Sequence, residues 1–271
     1  MMDIQRIGLI AGNGKFPFLF SRVARLHGIH VYVAAIRGET SPLLRPFVHE
    51  MRWFKVSQLR DGFAFFKNQN VRHVMMAGQV SQKNLFDPAL QRDQEFAEFF
   101  AALQDRKADT IFGAVASLLK KNGLEVLDST LLLNDFLAPQ GTLTRRGPTQ
   151  QELADLEFGR TIAKAMGGLD VGQTVVVKDK AIVAIEAMEG TDQCIRRGGR
   201  IAAEGAVVIK TSKPAQDSRF DVPVIGPRTL KHMTASRCSC LGIEAGKTIV
   251  IDRDRCVALA NKAGIAMVSF P

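Results

Sequence analysis

The sequence predicts an α/β protein with a parallel-sheet N-terminal domain and a distinct C-terminal α/β domain. Three observations predict it. Short apolar runs alternate with segments whose apolar residues recur at helical spacing, the pattern of parallel strands joined by right-handed crossovers. The stretch 139–149 gathers Pro139, Gly141, Gly147 and Pro148 among polar residues and reads as a linker. The length, 271 residues, is close to two domains at roughly 150 residues each. The boundary is drawn between 140 and 141, giving domains 1–140 and 141–271.

Residues 7–11 form an apolar run that ends in Gly12-Asn13-Gly14. Phe16, Leu19, Phe20, Val23 and Leu26 then fall on one helical face, and Gly28 closes that helix as a C-terminal cap. Residues 30–36, rich in Val, Ile and Tyr, read as a second strand. Residues 53–56 read as a third strand, 59–66 as a helix and 71–77 as a fourth strand. An amphipathic helix over 110–121 precedes a strand over 124–127. Beyond the linker comes a helix over 150–166, with Thr149 as its cap and Glu152 in its first turn. The strands 174–177 and 181–187, split by Lys178-Asp179-Lys180, read as a hairpin. A strand over 206–209, a polar loop over 211–227 with three prolines, segments 228–235 and 253–262, and strands 248–251 and 266–268 complete the chain. No internal repeat at solenoid periods is visible.

Hydrophobic residues make up 46% and charged residues 23%, which excludes disordered, collagenous and low-complexity classes. The net charge of +9 suits an anionic partner (nucleotide, nucleic acid or membrane surface), or simply a solubilising surface. With 17 Phe but one Tyr and one Trp, stacking platforms for single-stranded nucleic acid are thin. Cys194, Cys238, Cys240 and Cys256 form no CxxC pair, so no zinc site is expected. No signal peptide or run of about 18 apolar residues is seen, and the expectation is a cytoplasmic protein with reduced thiols.

Three segments carry chemistry. Gly12-Asn13-Gly14-Lys15, between a strand and a helix, suits a phosphate, whose charge is favoured by backbone N–H groups at a helix start. Pro17 stands where the third glycine of a dinucleotide fingerprint would be, so a plain strand-to-helix turn is the alternative. Glu186-Ala187-Met188-Glu189-Gly190-Thr191-Asp192 places three carboxylates and a hydroxyl within seven positions, oxygen ligands of the kind Mg²⁺ takes; a simple helix cap is the alternative. The third runs from Lys210 to Pro223, with Lys213, Asp217, Arg219 and Asp221 on a loop stiffened by prolines. Its cations can neutralise phosphate oxygens, and its carboxylates can hold a metal or activate water; a surface ion-pair network is the alternative. His27 and His232 read as structural or solvated, no GxSxG elbow is present, and Cys194 has no histidine placed beside it by sequence.

Several stretches together resemble the LpxI family, the UDP-2,3-diacylglucosamine pyrophosphatases of lipid A synthesis. They are residues 7–17, Ala77-Gly78-Gln79-Val80, Leu169-Asp170-Val171-Gly172-Gln173, Glu186 to Asp192, Lys210 to Gly226, Glu244-Ala245-Gly246 and Val250-Ile251-Asp252-Arg253. The resemblance covers essentially the whole chain. Its most specific parts are the EGTD stretch and the KPxQDxRxDxPxxG loop.

The resemblance implies a Rossmann-like N-terminal domain and a C-terminal α/β domain with the substrate held between them. It implies Mg²⁺-dependent hydrolysis of UDP-2,3-diacylglucosamine to UMP and 2,3-diacylglucosamine 1-phosphate (lipid X), with water attacking the phosphorus on the sugar side. Carried over by position, Asp221 is the essential metal ligand or water activator. Thr191, Asp192 and Lys210 contact the phosphorylated sugar, Gly12, Asn13 and Gly14 form the phosphate-proximal loop, and Gln79 and Gln173 make polar substrate contacts. Two departures are visible: Gln193-Cys194-Ile195 where the family usually has Ala-Met-Leu, and Lys107-Ala108-Asp109 for its Gly-Asp-Asp.

Read with this chemistry, Lys210, Lys213, Arg219 and Mg²⁺ offset phosphate charge, and Asp221, Asp217 and Glu189 are the candidate metal ligands. The Phe-rich segments 63–66 and 96–100 either line an acyl-chain cleft or belong to the core. Basic residues suit peripheral contact with an anionic inner-membrane surface. A homo-oligomer is compatible with the sequence. A non-hydrolytic nucleotide-sugar-binding protein is the alternative function. Nucleic-acid binding ranks below both, because the charges gather around carboxylates rather than in one basic stripe.

Overall fold

The computed structural model describes residues 4–81, 84 and 86–271. The chain divides into two units. The first runs to Leu133 and also takes in Asp217–Asp221; the second is Asn134–Gln216 with Val222–Pro271.

The first unit is a five-stranded parallel sheet. Its elements are β1 (Arg6–Ala11), α1 (Phe16–Leu26), β2 (His30–Ile36), β3 (Glu50–Phe54), α2 (Leu59–Asn68), β4 (His73–Ala77), α3 (Pro88–Gln91), α4 (Gln94–Ala101), α5 (Ala108–Lys121) and β5 (Glu125–Val126). The strand order is β3-β2-β1-β4-β5, so the sheet reverses its winding between β1 and β4, the Rossmann-like arrangement. Ile7 pairs with Val31 on one side and His73 on the other. Ile7 and Leu9 are fully buried, as a central parallel strand requires. Phe63, Phe65 and Phe66 of α2 and Leu119 of α5 cover Tyr32, Ala34 and Val74.

Several sequence readings shift in this unit, two of them at the start of a strand. The third strand begins three residues earlier than 53–56. Glu50 and Arg52 alternate with Met51 on an edge strand, and that polar alternation hid its start. The fourth strand starts at His73 rather than Val71, because Val71 still belongs to the turn that leaves α2.

The second unit is a mixed six-stranded sheet, ordered β6-β13-β11-β9-β7-β8. Its elements are β6 (Gly141–Thr142), α6 (Gln150–Gly168), β7 (Thr174–Lys178), β8 (Ala181–Ile185), α7 (Thr191–Ala202), β9 (Val207–Lys210), β10 (Val224–Ile225), α8 (Pro227–Ala235), β11 (Cys240–Glu244), β12 (Ile249–Val250), α9 (Arg253–Ala263) and β13 (Ala266–Phe270). Strands β9, β11 and β13 run parallel; β7 is antiparallel to β8 and β9. Leu156 and Ala163 of α6 pack on Val175, Val177, Val207 and Ile209. Ile195 of α7, Leu230 and Met233 of α8 and Cys256 of α9 pack on Val176, Val208, Leu241 and Met267, on the opposite face.

The hairpin turn is Asp179-Lys180, both at positive φ (50° and 58°). The Asp155 carboxylate accepts both of their N–H groups, at 3.1 and 2.6 Å. Thr149 and Glu152 form a capping box on α6, as their spacing predicts.

The stretch read as a linker is built into this unit. Gly141 and Thr142 pair with Ser269 and Val268 of β13, and Arg146 bonds to Glu152 and to the Ser239 carbonyl. The loop over 211–227 contains β10, which pairs with β12. Strand β11 has no counterpart in the sequence reading, because Cys240-Leu241-Gly242-Ile243-Glu244 carries a central glycine and a terminal charge. A Cβ on Gly242 would stand 2.3 Å from Leu156 Cδ2, so the Leu156 side chain of α6 packs directly over the glycine.

Candidate active site

The carboxyl ends of β9 and β11 in the second unit gather buried charge. Lys210 is the last residue of β9, opposite Thr174 of β7, and is 7% exposed. Its Nζ donates to Thr191 Oγ1 at 2.8 Å and to Thr174 Oγ1 at 3.3 Å. Thr191 in turn donates to Glu186 Oε1 at 2.8 Å, and Glu186 Oε2 lies 3.7 Å from Lys210 Nζ. Thr191 opens α7 after Gly190, whose φ of +80° turns the chain into the helix; no side chain caps this end. An ammonium and a helix N-terminus both present positive potential to an anion; here Glu186 and, in the first turn of α7, Asp192 offset part of it.

Lys213 is also buried and pairs with Asp170. Its backbone N–H donates to Gln216 Oε1 at 2.7 Å. The N–H of Thr211 donates to the Gln173 carbonyl at 2.9 Å, which brings Gln173 to the same edge. Lys210, Thr191, Lys213 and Gln173 therefore share one end of the second-unit sheet.

Asp192 and Glu189 are directed elsewhere. Asp192 pairs with Arg228 at 2.6 Å and lies 3.5 Å from His232 Nε2. Burial, with Arg196 and Arg228 nearby, holds His232 below the usual histidine range despite Asp192. Glu189 pairs with Arg197 at 2.5 Å. Burial pushes its carboxyl up, but the Arg197 bond and backbone N–H groups outweigh it and hold it below the usual range.

In the first unit, the glycine loop lies at the carboxyl ends of β1 and β4, where the sheet reverses its winding and α/β sheets bind ligands. Asn13 and Gln79 exchange backbone hydrogen bonds at 2.7 and 3.1 Å, and Gly12 N–H bonds to the Ala77 carbonyl at 2.8 Å. A Cβ on Gly12 would stand 2.3 Å from the Gln79 carbonyl oxygen, which explains the glycine. Glu39 joins the two loops: it accepts from Asn13 Nδ2 and Ser81 N–H, both at 2.7 Å, and from Asn84 Nδ2 at 3.1 Å. Sequence reading missed Glu39. The available signal was an acidic residue just past the second strand, the place from which dinucleotide folds address a ribose.

Asp217–Asp221 belong to this unit as well. Ser129 N–H donates to the Ser218 carbonyl at 2.9 Å, and Ser129 Oγ donates to the Arg219 carbonyl at 2.9 Å. Ser218 Oγ donates to Asp128, and Phe220 stacks on Phe112 with centroids 5.6 Å apart. Asp217 is held by Arg219 through a two-pronged pair at 2.6 and 2.9 Å, which keeps its carboxyl below the usual range. Asp221 is half-buried, and its N–H bonds to the Asp217 carbonyl at 3.1 Å.

The expected ligand trio divides between the units, with Asp217 and Asp221 in the first and Glu189 in the second. Among the described residues no three His, Cys, Asp or Glu side chains converge to hold a metal. Asp217 and Glu189 are each directed to an arginine instead. Mg²⁺ commonly takes one or two carboxylates together with substrate phosphates and several waters, and Asp221 has the donor chemistry for it.

A cavity of about 200 Å³ opens in the first unit, and its lining includes Phe63, Phe66, Phe96, Phe99, Phe100 and Phe112. Both Phe-rich segments thus border an apolar chamber as well as supplying core. The thiols of Cys194, Cys238 and Cys240 are pushed up to about 12, chiefly by burial, so at neutral pH they are poor nucleophiles.

Family models match nearly the full chain: the LpxI N-terminal domain over residues 6–136 and the LpxI C-terminal domain over 139–268. The chain belongs to the LpxI family. This LpxI-family chain is 28% identical over 275 residues to the UDP-2,3-diacylglucosamine pyrophosphatase LpxI of Caulobacter vibrioides, covering 97% of the chain and 96% of that relative. Among solved structures, it aligns with the biotin carboxylase domain of Hydrogenobacter thermophilus 2-oxoglutarate carboxylase at 11% identity and a TM-score of 0.27. That alignment covers 73% of this chain and 41% of the other, a likeness too slight to bear on function.

Proposed function

We propose that this LpxI-family protein hydrolyses the pyrophosphate of UDP-2,3-diacylglucosamine, releasing UMP and 2,3-diacylglucosamine 1-phosphate, with Mg²⁺. The observation that carries the reading is the buried Lys210 ammonium bonded to Thr191 at the uncapped start of α7. The name of the Caulobacter relative supplies the substrate.

In this reading Lys210, Thr191 and the α7 amides bind phosphate oxygens and offset the charge that develops on the leaving phosphate. Lys213 lends a second cation to the same edge. Asp221 acts as metal ligand or water activator, and the Gly12–Gly14 loop and Gln79 orient a phosphorylated portion of the substrate. Mg²⁺, held by Asp221 with substrate phosphate oxygens, would polarise the phosphorus and neutralise charge. The Phe-lined cavity takes an acyl chain, because it is apolar and lies in the unit that carries Asp221.

The reading also includes peripheral docking at the cytoplasmic face of an anionic membrane. Among the described residues no helix is long and apolar enough to cross a bilayer. The helices α7, α8 and α9, on one face of the second sheet, carry eight Lys and Arg against two Asp. Each well-placed cation near an anionic surface contributes about 1 kcal/mol.

The experiment is an assay of UMP release from UDP-2,3-diacylglucosamine with and without Mg²⁺. Metal-dependent release is the expected result. Tight binding without release transfers the protein to the non-hydrolytic nucleotide-sugar class.

A further inference from the structure

Ser212 stands between the two buried lysines, Lys210 and Lys213. Its backbone has left the sheet. The parallel ladder between β9 and β11 ends at the Lys210–Ile243 pair. After Glu244 the main chain turns away, with Ala245 N–H bonded to the Phe270 carbonyl at 2.8 Å and Gly246 at a φ of +66°. A longer ladder would offer Ser212 a backbone acceptor; here the Glu244 side chain supplies it. Glu244 Oε2 accepts from Ser212 N–H and, at 2.6 Å, from Ser212 Oγ.

Lys164 of α6 closes the other side. Its Nζ donates to the Ser212 carbonyl at 2.9 Å and to Ser212 Oγ at 3.1 Å, and lies 2.7 Å from Glu244 Oε1. Glu244 is 1% exposed. Burial pushes its carboxyl up, but the bonds from Lys164 and Ser212 outweigh burial and hold it below the usual range. The amide, carbonyl and hydroxyl of one serine are therefore all gripped by two side chains from different elements.

A buried ion pair adds little stability over a well-packed apolar pair. What an apolar pair cannot do is hold the Ser212 backbone in place. We propose that Glu244 and Lys164 are positioning residues: they fix Ser212, and thereby the directions in which Lys210 and Lys213 leave the chain. The inference rests on the pyrophosphatase reading above. Neither residue needs to touch substrate, because small displacements of a charge-stabilising group lower turnover steeply.

The test measures UMP release and thermal unfolding for Glu244→Gln, for the apolar swap Lys164→Met with Glu244→Leu, and for Glu152→Gln. Glu152 is a buried carboxylate of the same unit, bonded to Arg146, whose guanidinium also reaches the Ser239 and Gly264 carbonyls at the amino ends of β11 and β13. Both Glu244 variants are expected to lose about 10²-fold in kcat with little change in KM. Glu152→Gln is expected to lose stability while keeping wild-type kcat. The apolar swap keeps the test open if Glu244→Gln fails to fold. A folded swap with wild-type kcat overturns the positioning role, as does a kcat loss in Glu152→Gln equal to that of Glu244→Gln. No UMP from the wild type overturns the pyrophosphatase reading and the positioning role with it.

Discussion

Lys210 Nζ meets Thr191 Oγ1 at 2.8 Å, joining the last residue of a central strand to the first residue of a helix. Glu186 sits behind both, 2.8 Å from the hydroxyl and 3.7 Å from the ammonium. The carboxylate holds the cation in place, and in the proposed function the helix start receives a phosphate. Removing Lys210 alone strands a buried carboxylate, so the informative variant neutralises both. Lys210→Met with Glu186→Gln is expected to fold with an unfolding temperature near wild type and to lose at least about 10²-fold in kcat. Calorimetry and UMP release on the same preparation check it.

Asp221 is expected to act on turnover rather than on binding. Asp221→Ala should lower kcat by about 10³-fold, the upper range for loss of one charge-stabilising group, while retaining affinity for the UDP-lipid. Isothermal titration with intact substrate on this variant measures the affinity directly. A rate within a few-fold of wild type removes Asp221 from the mechanism.

Gly62 lines the Phe-rich cavity within α2, and a Cβ there would meet nothing within 4 Å. Gly62→Leu should therefore push stability and activity in opposite directions. Replacing a helix-interior glycine stabilises by about 0.5–1 kcal/mol, so the unfolding temperature rises. In the proposed reading the same side chain occupies acyl space, so kcat/KM should fall about tenfold for long-chain substrate and stay unchanged for a short-chain analogue.

Glu152 supplies a pH signature. Burial pushes its carboxyl up, but the bonds from Arg146, Thr149 and Ser239 outweigh burial and hold it below its ordinary value of 4.5. Above that value the carboxylate is charged in folded and unfolded chains alike, and its stabilisation is fully present. As pH falls below 4.5 and through the lowered folded value, the unfolded chain takes up the proton first and the stabilisation is lost. Glu152→Gln should cost about 1.5 kcal/mol near neutral pH, the low end for a charge-assisted bond because Arg146 is partly exposed. It should also flatten the acid limb of stability, as denaturant titrations at several pH values would measure.

Much of this was legible in the sequence where the signal is local. The alternation of apolar runs gave the parallel sheet of the first unit, and Thr149 with Glu152 gave the start of α6. The clustered charges between Lys210 and Asp221 marked a segment that the fold divides between the two units. What escaped depends on distant partners. Glu39 meets Asn13 and Ser81 across 26 and 42 residues, and Glu244 meets Ser212 across 32; no window of sequence displays such pairs. Strand β11 was hidden for a related reason. Its glycine lies under a leucine of a helix more than 80 residues upstream, and in sequence it reads as a break rather than a strand.

The first unit is assembled from two separate stretches of chain, and this constrains how the gene can be divided. A fragment ending at Leu133 would leave Ser129 and Asp128 without the backbone and hydroxyl they hold, and Phe112 without the ring it stacks on. Asp221, the carboxylate of the proposed mechanism, would stay behind on the other fragment. No single cut frees the unit whole; its five missing residues must be given back as a grafted loop or an added peptide.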